Sequence, residues 1–286
     1  MARETKSMSV VSIPLKTEIW QEDVLFKRFE LCRKIYNNML HYELKQYNKM
    51  IHDPEYVSSI ETIHNVYKMD DEKAKKEAKK SPEYKAAAEK QKELLRAYGM
   101  SEFGFTKTIG DFYKVYSQNI SSSMAGISIA KPMWTAFDKM LFGNGETVHY
   151  KKYDSWKSIA TDGKSGIRLI NKDGDTVLHR SGDEKLWCVC GTSKGKVLKM
   201  PLKIDKKDTW LLEMLDRDIK IVRITRKRVK DKYKYGKIPF FLQSTIAVSL
   251  GHQDFAVCLG QNDHKATPLS ITITGFYVLF RLLFEK

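Results

Sequence analysis

The chain has 286 residues, 42% of them apolar, and a formal net charge of +15. That length suits one large domain or two modest ones with a real core, and a positive field of this size favours polyanionic partners. Four cysteines (Cys32, Cys188, Cys190, Cys258) are too few for a disulfide framework, and there is neither a signal-peptide apolar core nor an uncharged run of about 18 residues, so a reduced, cytoplasmic or nucleoid-associated setting without a membrane partner is expected.

The charge is uneven. From Phe241 onward, Lys265, Arg281 and Lys286 are balanced by Asp254, Asp263 and Glu285, so the excess lies in residues 1–240. In chain order, Ser7–Ile13 alternates weakly and predicts a first strand closed by Pro14. Leu25, Phe29, Cys32, Tyr36, Met39, Leu40, Leu44 and Tyr47 then recur at helical steps, with Lys27, Arg28, Arg33, Lys34, Asn37 and Asn38 on the other face. Asp53-Pro54 and Ser81-Pro82 each place a capping residue before a proline suited to the first helical turn. Between them Asp70–Lys80 reads as a solvated helical arm. Gly99–Gly110 reads as a break and Asp111–Tyr116 as a short helix. A further helix is expected behind Ser121–Ser123, striped by Ile127, Ala130, Met133, Trp134, Phe137 and Leu141. Gly143-Asn144-Gly145 ends it with residues that tolerate positive φ.

Beyond Gly145 the period shortens. Val148–Tyr153 predicts a basic-aromatic strand, and Gly166–Ile170 with Thr176–His179 a hairpin through Asp173-Gly174. Leu186–Cys190 and Lys196–Ile204 follow, parted by a turn at Gly191–Gly195, then a turn or two of helix at Thr209–Leu215. Ile219–Lys230 and Lys237–Gln243 read as a last pair, with a bulge expected where the apolar phase slips between Ile221 and Val222. Short strands at this spacing suggest a small β-barrel or sandwich. The fold expected is α+β: a small β-barrel from residues 1–16 and 146–245, an inserted helical bundle over 17–145, and an atypical apolar tail over 246–286.

Two clusters suit phosphate and base contacts. Ile219–Lys234 holds Lys220, Arg223, Arg226, Lys227, Arg228, Lys230, Lys232 and Lys234 against Asp231 alone, with Tyr233 and Tyr235 alongside. The second is His149, Tyr150, Lys151, Lys152 and Tyr153, with Lys157 and Lys164 close behind. Cys188 and Cys190 share a strand face and read as small buried hydrophobes rather than zinc ligands. The chain has no phosphate-loop, zinc-protease or nucleophile-elbow motif, its seven histidines are scattered, and His252 with Asp254 is a weak pair. No catalytic residue is assigned.

The order of strand, helical insertion, then Trp134–Ile159 (with Ala136-Phe137 before its GNG turn), Asp162–Leu169 and Asp218–Gln243 resembles transposon-encoded RNA-guided nucleases of the TnpB type and the related type V CRISPR effectors. It spans roughly Val10 to Gln243. The resemblance implies a wedge-like barrel and a helical recognition lobe that hold a guide-type structured RNA and help read a motif beside the target DNA, base pairing reading the rest. On it, Tyr150, Lys151, Lys152, Tyr153, Lys164, Arg168, Arg223, Arg226, Lys227, Arg228, Lys230 and Lys232 would be nucleic-acid contacts of the barrel. Arg33, Lys34 and Asn37 would serve from the first recognition helix. In that family a RuvC-type nuclease domain that uses Mg2+ follows. Here the hydrophobic–Gly–hydrophobic–Asp strand that would open it is missing after Gln243, so no cofactor is expected of this chain. Truncation, a changed reading frame and a natural short form all fit. So do three activities: binding without cutting, a nuclease completed by a partner, and a non-functional remnant.

Overall fold

A computed structural model describes residues 9–143, 145–192, 197–228 and 242–250, with Ser9, Lys227, Arg228 and 242–250 described by backbone alone. The chain divides into two compact units, Met1–Gln253 and Asp254–Lys286. The second lies outside the described residues, as do His252, Cys258 and the apolar run Leu269–Phe280.

Strand β1 (Ser9–Pro14) leads into α1 (Ile19–Ile51), which turns Leu25, Phe29, Cys32, Tyr36, Met39 and Leu40 into the core. The predicted caps start the next helices: Asp53 accepts from the Glu55 amide ahead of α2 (Pro54–Tyr67), and Ser81 from the Tyr84 amide ahead of α4 (Pro82–Ala97). Between them α3 (Glu72–Ala78) buries nothing. Residues 99–110 are not a break, because α5 (Glu102–Tyr116) begins behind a Ser101 cap. Gly99, at φ +74, ends the preceding helix, and a Cβ on Gly104 would stand 2.1 Å from the Gly99 carbonyl oxygen. Gly99 turns the chain out of α4, and Gly104 lets the first turn of α5 pass close to it.

Ser121 caps α6 (Ser122–Ala125), which passes through a π turn at Gly126–Ala130 into α7 (Lys131–Phe142). That helix ends as expected, but Gly143 is extended, at φ −129, not left-handed. Phe105 of α5 and Phe137 of α7 close the helical part of the core with ring centroids 5.0 Å apart.

With β1, the described strands beyond the helices make two antiparallel four-stranded sheets. The first runs β1-β8-β7-β2, with β2 Ser158–Thr161, β7 Ile219–Arg228 and β8 Leu242–Leu250. The second runs β4-β3-β5-β6, with β3 Ile167–Ile170, β4 Thr176–Val177, β5 Trp187–Cys190 and β6 Leu198–Pro201. Helix α8 (Thr209–Leu215) links β6 to β7. The architecture is therefore α+β, with Val11, Ile13, Ile159, Leu169, Cys188, Met200, Val222 and Ile224 in one core with α1.

The expected barrel does not close. The sheets touch at two corners through isolated bridges, Leu15 to Leu202 and Gly163 to Arg168. The outer edge of β2 is finished by a side chain instead of a strand: the Ser128 hydroxyl, on the π turn, donates to the Ala160 carbonyl at 3.0 Å and accepts from its amide at 2.7 Å. A satisfied edge needs no further partner.

Two strand assignments also shift. The partner of β7 is Leu242–Leu250 rather than Lys237–Gln243, and it sits centrally, with Val248 opposite Val11 on one side and Val222 on the other. Residues 246–250, expected in a tail, are thus part of the sheet. The bulge falls between Ile219 and Ile221, one step before its expected place, because Ile219 is buried and the inward phase resumes at Val222.

Candidate nucleic-acid interface

The exposed face of α1 carries Lys27, Lys34, Asn38, His41, Lys45 and Asn48, a polar stripe at helical spacing. Next to it lies the segment that was expected to be a strand, Val148–Tyr153. It is irregular. Its backbone is fixed by a side chain: Asn37 accepts from the Lys151 amide at 2.8 Å and donates to the Lys151 carbonyl at 3.0 Å. One amide side chain so makes both hydrogen bonds that a neighbouring strand would have made. Arg33 Nη1 adds a bond to the same carbonyl at 3.2 Å. Two clusters more than a hundred residues apart in sequence become one surface.

A charge network holds the end of the segment. Asp154 is the one described non-glycine residue with positive φ, at 57°, a conformation aspartate tolerates better than most residues. Its amide donates to Glu30 Oε1 at 3.0 Å, and its carboxylate lies 2.7 Å from Arg226 Nη2. Glu30, itself buried, pairs with Arg33 at 2.7 Å. Arg226 also donates from Nε to the Trp156 carbonyl at 2.9 Å and stacks against Phe26 and Phe29. Neither Glu30 nor Asp154 was singled out from the sequence. The available signal was local: a carboxylate three residues before Arg33, and an aspartate directly after the aromatic run.

What remains outward is a set of cations and rings. Lys34 and Lys152 are exposed and make no ion pair among the described residues. Lys151 lies with its ammonium 5.5 Å from the Tyr36 ring centre. Tyr150 and Tyr153 are 49% and 69% exposed. The Tyr150 hydroxyl lies 3.4 Å from His41 Nδ1, while Tyr153 meets Phe26 edge-on and Arg33 over its ring at 5.9 Å.

The other predicted contacts are dispersed. Lys164 is exposed on a turn whose amides (Lys164, Ser165) already donate to Asp162 Oδ1, so that small anion cradle is filled from within. Arg168 on β3 and Arg223 on β7 are half-buried. Arg226 is buried, its guanidinium paired with Asp154 and turned away from solvent. For Lys227 and Arg228 only the strand backbone is described, and Lys230 and Lys232 lie outside the described residues. Arg28, read as part of the polar face of α1, is also buried. It donates from Nη1 to the Cys190 carbonyl at 2.7 Å and to its sulfur at 3.0 Å, where it satisfies the end of β5.

Burial pushes the Cys32 thiol up to about 12 and raises Cys188 and Cys190, leaving three protonated thiols in the core. On α1, burial pushes the Glu43 carboxyl up to about 7, partly offset by a hydrogen bond with Thr108. Among the described residues no group of three His, Cys, Asp or Glu side chains could hold a metal ion. No described helix is long and apolar enough to cross a membrane. No family model matches the chain, and no curated protein matches it significantly.

Proposed function

We propose that this chain is the nucleic-acid-holding N-terminal part of a TnpB-type RNA-guided nuclease or of a type V relative. It holds a structured RNA by its phosphates, with target DNA as second partner, and it binds without cutting. The paired sheets would serve as the wedge and α1–α7 as the recognition lobe. The observation that supports this reading best is the joining of α1 to Tyr150–Tyr153 through the Asn37–Lys151 pairing, which gathers Lys34, Lys152, Tyr150 and Tyr153 on one surface.

The test is fluorescence anisotropy with a structured RNA across a salt series. Three or four phosphate contacts give a slope of log affinity against log salt of about −2 to −4. The double variant Lys34→Glu, Lys152→Glu should bind more weakly to every RNA sequence with its melting temperature unchanged. A slope near zero, or undiminished binding by the double variant, overturns the proposal. Arg226 is unsuited to this test because its loss would disturb the fold.

A further inference from the structure

We infer that Tyr150 and Tyr153 form a stacking platform for an unpaired nucleic-acid strand. This rests on the reading of the surface as a nucleic-acid interface and specifies the form of nucleic acid it takes. Two large rings stand in solvent, three residues apart on a segment whose backbone is pinned at Lys151 and at Asp154. Exposed tyrosines usually cost ordering entropy to hold still. Here the pinning is done by Asn37, Glu30 and Arg226, all of them set by the core, so the rings are positioned before any ligand arrives.

The chemistry at the rings selects a single strand. The bases of a duplex stack on one another and offer side chains only edges and phosphates, whereas unpaired bases present π-faces that stack on tyrosine without regard to sequence. Tyr153 has Phe26 at its edge and the Arg33 guanidinium over its ring, and 69% of it is still exposed. Three residues of extended chain span at most about 10–11 Å, which successive nucleotides of one strand can bridge. Lys152 stands between the two rings in the chain and Lys34 on the adjoining α1, both of them exposed cations for its phosphates. A surface meant for duplex backbone alone would need the lysines but not the rings.

The experiment measures binding of the full chain to a 12-nucleotide oligouridylate, the matching oligothymidylate and a blunt RNA duplex at one salt concentration. Tyr150→Ala and Tyr153→Ala should each weaken binding to the single strand about tenfold or more, with the duplex unaffected. Tyr153→Phe should bind as the unmodified protein does, since the ring is kept. A tight complex with both oligonucleotides supports an unpaired strand of either sugar; a tight complex with oligouridylate alone supports the inference and assigns the strand to RNA. Thermal melts accompany each variant, and both rings are exposed enough for the alanine variants to remain folded. If the alanine variants bind the single strand unchanged, or lose strand and duplex alike, the platform is refuted while salt-dependent binding by the unmodified chain leaves the broader reading standing. If the unmodified chain binds none of the three, both fall.

Discussion

The segment Tyr150–Lys157 meets the strand β7 at its end, where the Arg226 amide donates to the Lys157 carbonyl at 2.9 Å. Both are rich in basic residues, and they present them in opposite ways. In β7 the two-residue period forces alternate side chains inward, so Val222, Ile224 and Arg226 all face the core. The irregular segment has no such period; it is pinned at a few points, and Tyr150, Lys151, Lys152 and Tyr153 all stay exposed. Whether a cation can reach a phosphate depends on the period of its element more than on how many cations surround it.

Replacing one arginine and one lysine tests this most strongly. Arg226→Ala removes a buried guanidinium that lies 2.7 Å from the half-buried Asp154 carboxylate and against Phe26 and Phe29, and should cost about 3 kcal/mol of stability, read by thermal or denaturant unfolding. Lys152→Ala should stay within about 0.5 kcal/mol. Equal losses would erase the contrast between the two regions.

A second burial effect lies on α1, two turns beyond Asn37. The folded protein holds the Glu43 proton until about pH 7, whereas the unfolded chain releases it near the ordinary 4.5. Stability should therefore be fullest below pH 4.5 and fall as pH rises through the window to 7, by about 3 kcal/mol in all. Glu43→Gln should remove that slope and be the more stable protein at pH 8. Denaturant curves at pH 5 and 8 check both, and a parallel slope in the variant would assign the titration elsewhere.

A smaller effect is expected at the pin itself. Asn37→Ala leaves the Lys151 amide to solvent and its carbonyl to Arg33 alone, at a cost of about 1 kcal/mol. Its sharper signature is local: amide exchange at Lys151 should quicken while β7 stays protected. Smallest in stability, yet visible in binding, is the pair Lys34→Gln, Lys152→Gln. It should leave the melt unmoved and flatten the salt slope for single-stranded RNA by about 1.4, at roughly 0.7 per phosphate contact.

The helical elements were legible where the determinant was local. Asp53-Pro54 and Ser81-Pro82 each state a helix start within two residues, and both helices begin there. The α1 stripe was legible for the same reason. What escaped depended on partners distant in the chain. Nothing near Arg28 or Arg226 reports that Cys190, or Glu30 and Asp154, will face them. Nothing near Leu242–Leu250 distinguishes a central strand from an apolar tail until β1 and β7 are known to flank it. Glycines misled at 99–110 because Gly104 sits inside the first turn of α5, where it clears the Gly99 backbone, while only Gly99 makes the turn. For the candidate surface, residue types were readable, but which of them face outward was not.

The place of β8 between β1 and β7 also bears on how the protein is made. Ser9 pairs with Leu250, so β1, made before the helices, has no ladder partner until almost the whole described chain has followed. The helices from α1 to α7, built on local contacts, can form meanwhile, whereas the sheet must wait for a closure of high contact order, which is slow. Until then β1 and β7 present open edges to any other chain nearby. Synthesis of this protein thus includes an interval in which the finished helical part is tethered to an unfinished sheet, and a ribosome stalled before Leu242 would release a chain prone to association.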